Sequence, residues 1–336
     1  MASVSFEVIR NYSGADVYFT LLQQALTRCG FSAELRFYPH ICEFLPYHVL
    51  QPFLPRSLHA PLVHSKAEYG WLFARDRRPL VVVLAHSVFD PLYVRSKGLI
   101  KRLYHDTKLA PSIRRSFDRA DRIVTVSQFS RRSIEEKFGR RDVRVIYNGV
   151  DTELFRPAAE PSPRTDNRVR LLYVGNLIPR KGADLLPRIL DRLGPNFVLE
   201  YTSGLRTRRP SGVHPRMECL GRLSHPQLAQ AYQRCDIFLF PSRLEGFGYP
   251  VAEAMACGKP VVTTNYASLP ELVEDGRGGF LCPMDDVDAF AERIRLLAAD
   301  RDLRARMGAY NRAKIEPQFS LPQWADRYIQ LYEELL

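Results

Sequence analysis

The sequence has 336 residues, 46% of them apolar, and carries 48 Lys and Arg against 37 Asp and Glu, a formal charge of +11 at pH 7. That length exceeds what one typical core supports, so two domains are expected, and the composition excludes a disordered or fibrous chain. Residues 1–11 alternate polar and apolar side chains without a signal-peptide core, and no apolar run approaches the ~20 residues of a membrane span, so a cytoplasmic location is expected.

In chain order, Val4 to Ile9 reads as a first strand and Val17 to Cys29 as a helix closed by Gly30. Further strands follow at Ala33 to Tyr38, Leu80 to Ala85 and Arg122 to Val126. Apolar runs alternating with helical patterns are the mark of a parallel sheet wrapped by helices. Between Pro39 and Pro61 the prolines multiply and the pattern fails, which predicts an extended, adaptable loop.

After Tyr147, the stretch NGVDTELFRP and the Pro-rich polar residues from Ala158 to Asn167 read as an interdomain linker. A second alternation begins with a strand at Arg170 to Val174, a helix at Ala183 to Leu193 and a strand at Phe197 to Tyr201. Ser224 with Gln227, and Ser320 with Gln323, form capping-box patterns that open two more helices. Between them lie a buried strand at Asp236 to Phe240, a strand at Pro260 to Thr263 and a helix at Val287 to Ala298. In the last helix Trp324, Tyr328, Leu331 and Leu335 recur at helical spacing.

The positive charge is uneven: between Arg95 and Arg144 there are 15 basic and 6 acidic residues. Such a stretch suits either a solvated helical face or an anionic partner such as a membrane surface or a phosphorylated substrate. No zinc module, recognition helix or aromatic RNA-binding strand accompanies it, which argues against nucleic acid. The six cysteines lie far apart without a Cys-x-x-Cys pair, the pattern of reduced, mostly buried thiols rather than of disulfides or a metal site.

The densest chemical signal is PSRLEGFGYPVAEAMACGKPVV, from Pro241 to Val262. A buried strand, a glycine loop and a helix starting near Pro250 and ending at Gly258 aim unpaired backbone N–H groups and the positive helix end at one point. That point suits a phosphate. Glu245 and Glu253 at its edges would repel one, so they fit as acceptors for neutral hydroxyl groups, which sugars carry.

This segment, with seven residues between its glutamates, resembles the nucleotide-sugar site of the retaining glycosyltransferases of family four. Three other stretches match in the expected order: Leu171-Leu-Tyr-Val-Gly-Asn-Leu-Ile-Pro-Arg-Lys-Gly182, Val145-Ile-Tyr-Asn-Gly-Val-Asp-Thr-Glu-Leu-Phe155 and Asp121-Arg-Ile-Val-Thr-Val-Ser127. The resemblance implies an α/β chain of the GT-B fold, two Rossmann-like domains facing a central cleft. Residues 1–157 would form the acceptor domain, 158–318 the nucleotide-sugar domain, and 319–336 a helix crossing back to the first.

It implies retaining transfer of a hexose-type sugar from a nucleoside diphosphate sugar; the basic first half suggests a glycan or lipid-linked acceptor, in cell-surface polysaccharide synthesis. By resemblance, Lys181 grips the diphosphate with Arg180 assisting, Glu253 accepts from the ribose hydroxyls and Glu245 from the transferred sugar. Gly246, Phe247 and Gly248 lie close to the donor, and His86, at the end of a strand, faces its sugar. Gly14 stands where relatives have a first glycine loop, often with two adjacent glycines. Many relatives also place an arginine where this chain has Asn176, which hydrogen-bonds phosphate without supplying charge.

No cofactor besides the donor is expected and no metal, since Asp286 and Asp288 open a helix, where aspartate serves as a cap. Two other classes stay open on sequence: a nucleotide-sugar epimerase or hydrolase on the same fold, and a non-catalytic sugar- or polyanion-binding protein.

Overall fold

The computed structural model describes residues 3–11, 14–43, 60–74, 78–85, 89–91, 98–159, 166–203 and 214–336. The chain divides into two compact units, Met1–Gly149 with Leu321–Leu336, and Val150–Ser320.

The first unit contains β1 (Ser3–Ile9), α1 (Gly14–Arg28), β2 (Ser32–Tyr38), β3 (Leu62–Lys66), β4 (Leu80–Leu84), α2 (Leu99–Tyr104), α3 (Ala110–Arg119), β5 (Arg122–Thr125), α4 (Gln128–Phe138) and β6 (Val143–Val145). The strands form one parallel sheet in the order β2-β1-β3-β4-β5-β6. β4 is Leu-Val-Val-Val-Leu and buried throughout, as a strand covered on both faces must be. β3, which no sequence pattern announced, is equally buried although it carries His64, Ser65 and Lys66. Ser65 is met inside the sheet, its hydroxyl donating to the Glu7 carbonyl at 2.6 Å. Residues 44–59 of the expected adaptable loop, His86 and residues 160–165 of the expected linker lie outside the described residues.

The second unit contains β7 (Val169–Tyr173), α5 (Leu186–Leu193), β8 (Phe197–Thr202), β9 (Met217–Gly221), α6 (His225–Arg234), β10 (Ile237–Phe240), α7 (Tyr249–Ala256), β11 (Val261–Thr264), α8 (Leu269–Leu272), β12 (Gly279–Cys282), α9 (Val287–Ala299) and α10 (Arg301–Phe319). Its sheet is also parallel, in the order β12-β11-β10-β7-β8-β9. The strand order therefore reverses between β7 and β10. In open α/β sheets the crevice at the carboxyl ends of such a reversal is where ligands bind, because the following helices diverge to opposite faces.

The final helix, α11 (Leu321–Glu333), belongs to the first unit and packs along α1. The Tyr18 and Tyr328 hydroxyls hydrogen-bond each other, and Trp324 sits edge-on to Tyr18 at 5.2 Å. His64 Nδ1 bonds the Tyr332 hydroxyl at 2.7 Å. Gly149 lies under this cluster: a Cβ there would come within 2.8 Å of Trp324 Cβ. The units change over at Gly149/Val150 and Ser320/Leu321, against the sequence expectation of 157/158 and 318/319. The residues between 150 and 157 belong to the second unit because Arg312 of α10 donates to the Thr152 and Phe155 carbonyls, at 3.0 and 3.1 Å.

Candidate active site

Two loops build the site, one after β7 and one after β10, the two strands that flank the reversal of the second sheet. The first loop ends in a single tight turn, Pro179–Lys181, capped by Gly182 at φ +69°. A side chain at position 182 would place its Cβ 1.9 Å from the Pro241 carbonyl oxygen, so glycine is what lets the loops touch. Their contact is reinforced in both directions. The Arg243 amide donates to the Arg180 carbonyl at 2.9 Å, and the Arg180 guanidinium donates to the Leu244 carbonyl at 2.9 Å.

This contact brings Lys181 Nζ to within 2.5 Å of Glu245 Oε1, with the Ser242 hydroxyl donating to the same oxygen at 2.6 Å. The Glu245 side chain is only 8% exposed and that of Lys181 15%. Burial works against ionised Glu245, but the Lys181 ammonium, Arg180 and the hydrogen bonds from Lys181 and Ser242 outweigh it and hold the carboxyl below its ordinary range. Burial draws Lys181 below its ordinary value while Glu245 pulls it back. Two charges taken out of water are tolerable only with such close pairing. Lys181 also lies 5.4 Å above the Phe240 ring, the last residue of β10.

Beyond Glu245 the chain passes through Gly246 and Phe247 to Gly248, whose φ of +103° starts α7. The Ser268 hydroxyl fixes this bend by reaching the Glu245 and Phe247 carbonyls at 3.2 and 3.0 Å. Pro250 occupies the first turn of α7, where its missing N–H costs nothing. At the other end Gly258 lies at φ +68°, and the amides of Gly258 and Lys259 bond the Met255 and Ala254 carbonyls, a Schellman closure.

Glu253 lies on α7, where its Oε2 accepts from the buried Tyr232 hydroxyl at 2.8 Å. Burial raises this carboxyl to about 7, the Tyr232 hydrogen bond pulling it the other way. The two glutamates are therefore unlike: Glu245 is an ionised partner of a lysine, whereas Glu253 titrates near neutrality.

Asn176 follows β7. Its backbone carbonyl accepts from the buried Tyr173 hydroxyl at 3.0 Å, while its Oδ1 is buried without a partner among the described residues. Arg180, expected to assist Lys181, spends part of its guanidinium on the Leu244 carbonyl. The structure thus gathers Asn176, Arg180, Lys181, Glu245, Gly246, Phe247, Gly248 and Glu253 on the second unit, around the carboxyl ends of β7 and β10. Gly14 is in the first unit, opening α1 after β1, and a Cβ built there would meet open space. His86 lies outside the described residues.

Sequence reasoning passed over Ser242, Ser268, Tyr232 and Arg243, which hold the site residues in place. Only Ser242 and Arg243 were discoverable, being neighbours of Glu245; Tyr232 and Ser268 come from distant elements. Asp286 accepts from the Ala289 amide at 2.9 Å as the cap of α9, and Asp288 pairs with Arg192 at 3.1 Å.

The family model for glycosyl transferases group 1 matches residues 208–314, and that for glycosyltransferase family 4 matches residues 14–154. The chain is thus similar to glycosyltransferases in both of its halves. An uncharacterized glycosyltransferase of Methanocaldococcus jannaschii is 31% identical over 220 residues, 64% of this chain and 60% of the relative. The D-inositol 3-phosphate glycosyltransferase of Mycobacteroides abscessus is 29% identical over 310 residues, 82% of this chain and 67% of that one. The chain thus spans about three-fifths of the archaeal relative's length. Among solved structures, Anabaena HepE in complex with UDP-glucose superposes with a TM-score of 0.80 over all of both chains at 20% identity. The fold is accordingly GT-B, an α/β architecture with two parallel six-stranded sheets.

Proposed function

We propose that the protein transfers a hexose-type sugar from a nucleoside diphosphate sugar to a glycan or lipid-linked hydroxyl, with retention of anomeric configuration and without a metal ion. The observation that supports this most is the buried Lys181–Glu245 pair at the strand-order reversal, set beside the near-neutral carboxyl of Glu253. The pair offers a cation to a diphosphate and an acceptor to a sugar hydroxyl within one small volume. The HepE neighbour crystallised with UDP-glucose gives a precedent for such a donor on this fold.

In this reading the Lys181 ammonium and the positive start of α7 meet the charge that grows on the diphosphate as the glycosidic bond breaks, the largest electrostatic task of the reaction. The acceptor oxygen attacks the face the diphosphate leaves, the new C–O bond forming as the old one breaks. The acceptor proton passes to the departing phosphate oxygen, so charge balances and no carboxylate nucleophile is needed. Asn176 brings no charge to this task, leaving Lys181 as its main cation.

The acceptor is proposed to be part of a growing surface polysaccharide, met at an anionic membrane through the basic first unit. Among the described residues no helix is long and apolar enough to cross a membrane. Part of the basic stretch is satisfied internally: Arg131 pairs with Glu135 at 2.8 Å, Lys137 with Asp106 at 3.1 Å and Arg140 with Asp142 at 2.7 Å. Arg115 and Arg119 lie over the Trp71 ring and Arg114 over Phe138. Replacing Arg114, Arg115, Arg131 and Arg132 by Gln should abolish co-sedimentation with anionic vesicles; unchanged sedimentation removes the membrane part of the proposal.

The enzyme itself is tested with a thermal-shift panel of UDP-, GDP-, ADP- and dTDP-sugars. A ligand at 100 Kd stabilises by about 2.7 kcal/mol and identifies the donor. NMR of the fresh product should then show the donor's configuration, with turnover unchanged in EDTA; an inverted centre rejects retention. Rapid conversion of the donor without any acceptor would replace transfer by epimerisation or hydrolysis.

A further inference from the structure

Arg243 stands two residues before Glu245, and none of its bonds described here goes to Lys181 or Glu245. Its guanidinium does something else. Nη1 and Nη2 grip both oxygens of Asp184 at 2.7 and 2.8 Å, Nε binds Asp285 at 2.6 Å, and Nη1 also donates to the Pro179 carbonyl. Its backbone amide holds the Arg180 carbonyl at 2.9 Å. One residue of the β10 loop is thus bonded to the first residue of the Pro179–Lys181 turn, to its second residue, and to Asp184 two positions beyond Gly182.

Asp285 lies at φ +64°, in the left-handed region that a non-glycine side chain enters at a cost, and its carboxylate is the one on Arg243 Nε. The Asp184 carboxyl is held below its ordinary value by the hydrogen bond from Arg243, so the pairing persists at neutral pH. The fork geometry is specific to arginine, since a lysine ammonium cannot bind a carboxylate in two parallel bonds and serve a carbonyl and a second carboxylate as well.

We infer that Arg243 is a positioning residue that sets the Pro179–Gly182 turn at the distance where Lys181 reaches Glu245, and hence fixes the cation offered to the donor diphosphate. This rests on the donor reading given above, but its first consequence is visible without any ligand. The Lys181 and Gly182 amides bond the Ile178 and Pro179 carbonyls at 2.9 Å and should be protected from exchange. In Arg243→Lys, hydrogen exchange at these two amides should accelerate about tenfold while the β10 amides stay unchanged. Unaltered protection of the turn overturns the inference whatever the protein's activity.

The second measurement is a double-mutant cycle on donor kinetics. Arg243→Lys should lower donor kcat/KM by about 10²-fold, as expected for a displaced reacting group, and leave the acceptor KM unchanged. In a Lys181→Ala background the same substitution should add less than about twofold, because the group it positions is gone. Additive losses, or an equal rise in acceptor KM, would assign Arg243 a general structural role. Asp285→Asn takes the charge from the acceptor on Nε and so weakens that hold on Arg243, leaving the pairing with Asp184 in place. It should show the same pattern at reduced size, about threefold to tenfold, and guards against a misfolded Arg243 variant. Absence of sugar transfer by the wild-type protein would defeat the donor reading and leave the exchange result standing.

Discussion

Two regions, one in each unit, bury polar groups in opposite ways. Where α11 packs on the first unit, the polar atoms are neutral: the Tyr18 and Tyr328 hydroxyls bond each other, and His64 meets Tyr332 inside a cluster of aromatic rings. At the end of the second sheet the buried groups are charged, and Lys181, Glu245 and Ser242 converge within 2.6 Å contacts. Neutral groups inside a packed cluster have nothing to exchange with and contribute to cohesion. A charged pair at a strand-order reversal, backed by glycine loops and a helix start, keeps partners that a ligand can replace. The contrast separates the part that holds the chain together from the part suited to chemistry.

The largest expected effect breaks the charged pair. Lys181→Ala should lower donor turnover by at least about 10²- to 10³-fold, the size seen on deleting one group that stabilises developing negative charge. It should also cost about 3–5 kcal/mol in urea unfolding, since Glu245 is left buried and unpaired. The double variant Lys181→Met with Glu245→Gln should regain most of that stability and none of the activity. If the double variant is as unstable as the single, the pair is not the origin of the cost.

Next in size is Trp324→Ala in the neutral cluster. Trp324 is 1% exposed, so the loss should be about 3–5 kcal/mol, read in the unfolding of the first unit. Nucleotide affinity, a property assigned here to the second unit, should stay within about twofold in conditions where the protein remains folded. A loss of affinity matching that of Lys181→Ala would erase the division between the regions.

The regions should also differ in the sign of their response to pH. Burial lowers His64 from 6.5 to about 3. The folded state therefore binds fewer protons there than the unfolded state, so the His64 contribution is complete above 6.5 and is lost as pH falls toward 3. Between pH 6.5 and 5 this amounts to about 2 kcal/mol, and His64→Gln should remove that slope.

Glu253 has the opposite sign and the smaller shift. Its carboxyl is raised from 4.5 to about 7, so the protonated folded form is favoured and stability declines as pH rises from 4.5 through 7. Glu253→Gln should flatten that decline. If ribose hydroxyls bind the ionised form, donor binding below pH 7 should release a proton, measurable by calorimetry in buffers of different ionisation heat. The same slope in wild type and variant at either position would show that the titrating group lies elsewhere.

Much of this architecture was legible beforehand, for physical reasons. Strands buried on both faces are usually continuous apolar runs, so β4 and β10 stood out, whereas β3 did not, because its polar His64 and Ser65 find their partners far along the chain, at Tyr332 and Glu7. The stretch from Pro241 to Gly258 was legible because Gly248, Pro250 and Gly258 carry local backbone requirements that neighbouring residues alone impose. The position of the domain changeover at Gly149/Val150 was not, since it depends on α10 reaching back to residues 152 and 155.

Local chemistry singled out Glu245 and Glu253 from turn residues and spacing, and the family resemblance added Lys181. Only the folded chain decided that Lys181 and Glu245 pair, that burial brings Glu253 near neutrality against the pull of the Tyr232 hydrogen bond, and that Arg243 ties one loop to the other. Each of those contacts joins residues more than twenty positions apart, the Lys181 and Arg243 ones through β7 and β10 lying side by side and the Tyr232 one through α6 meeting α7, which no local pattern encodes.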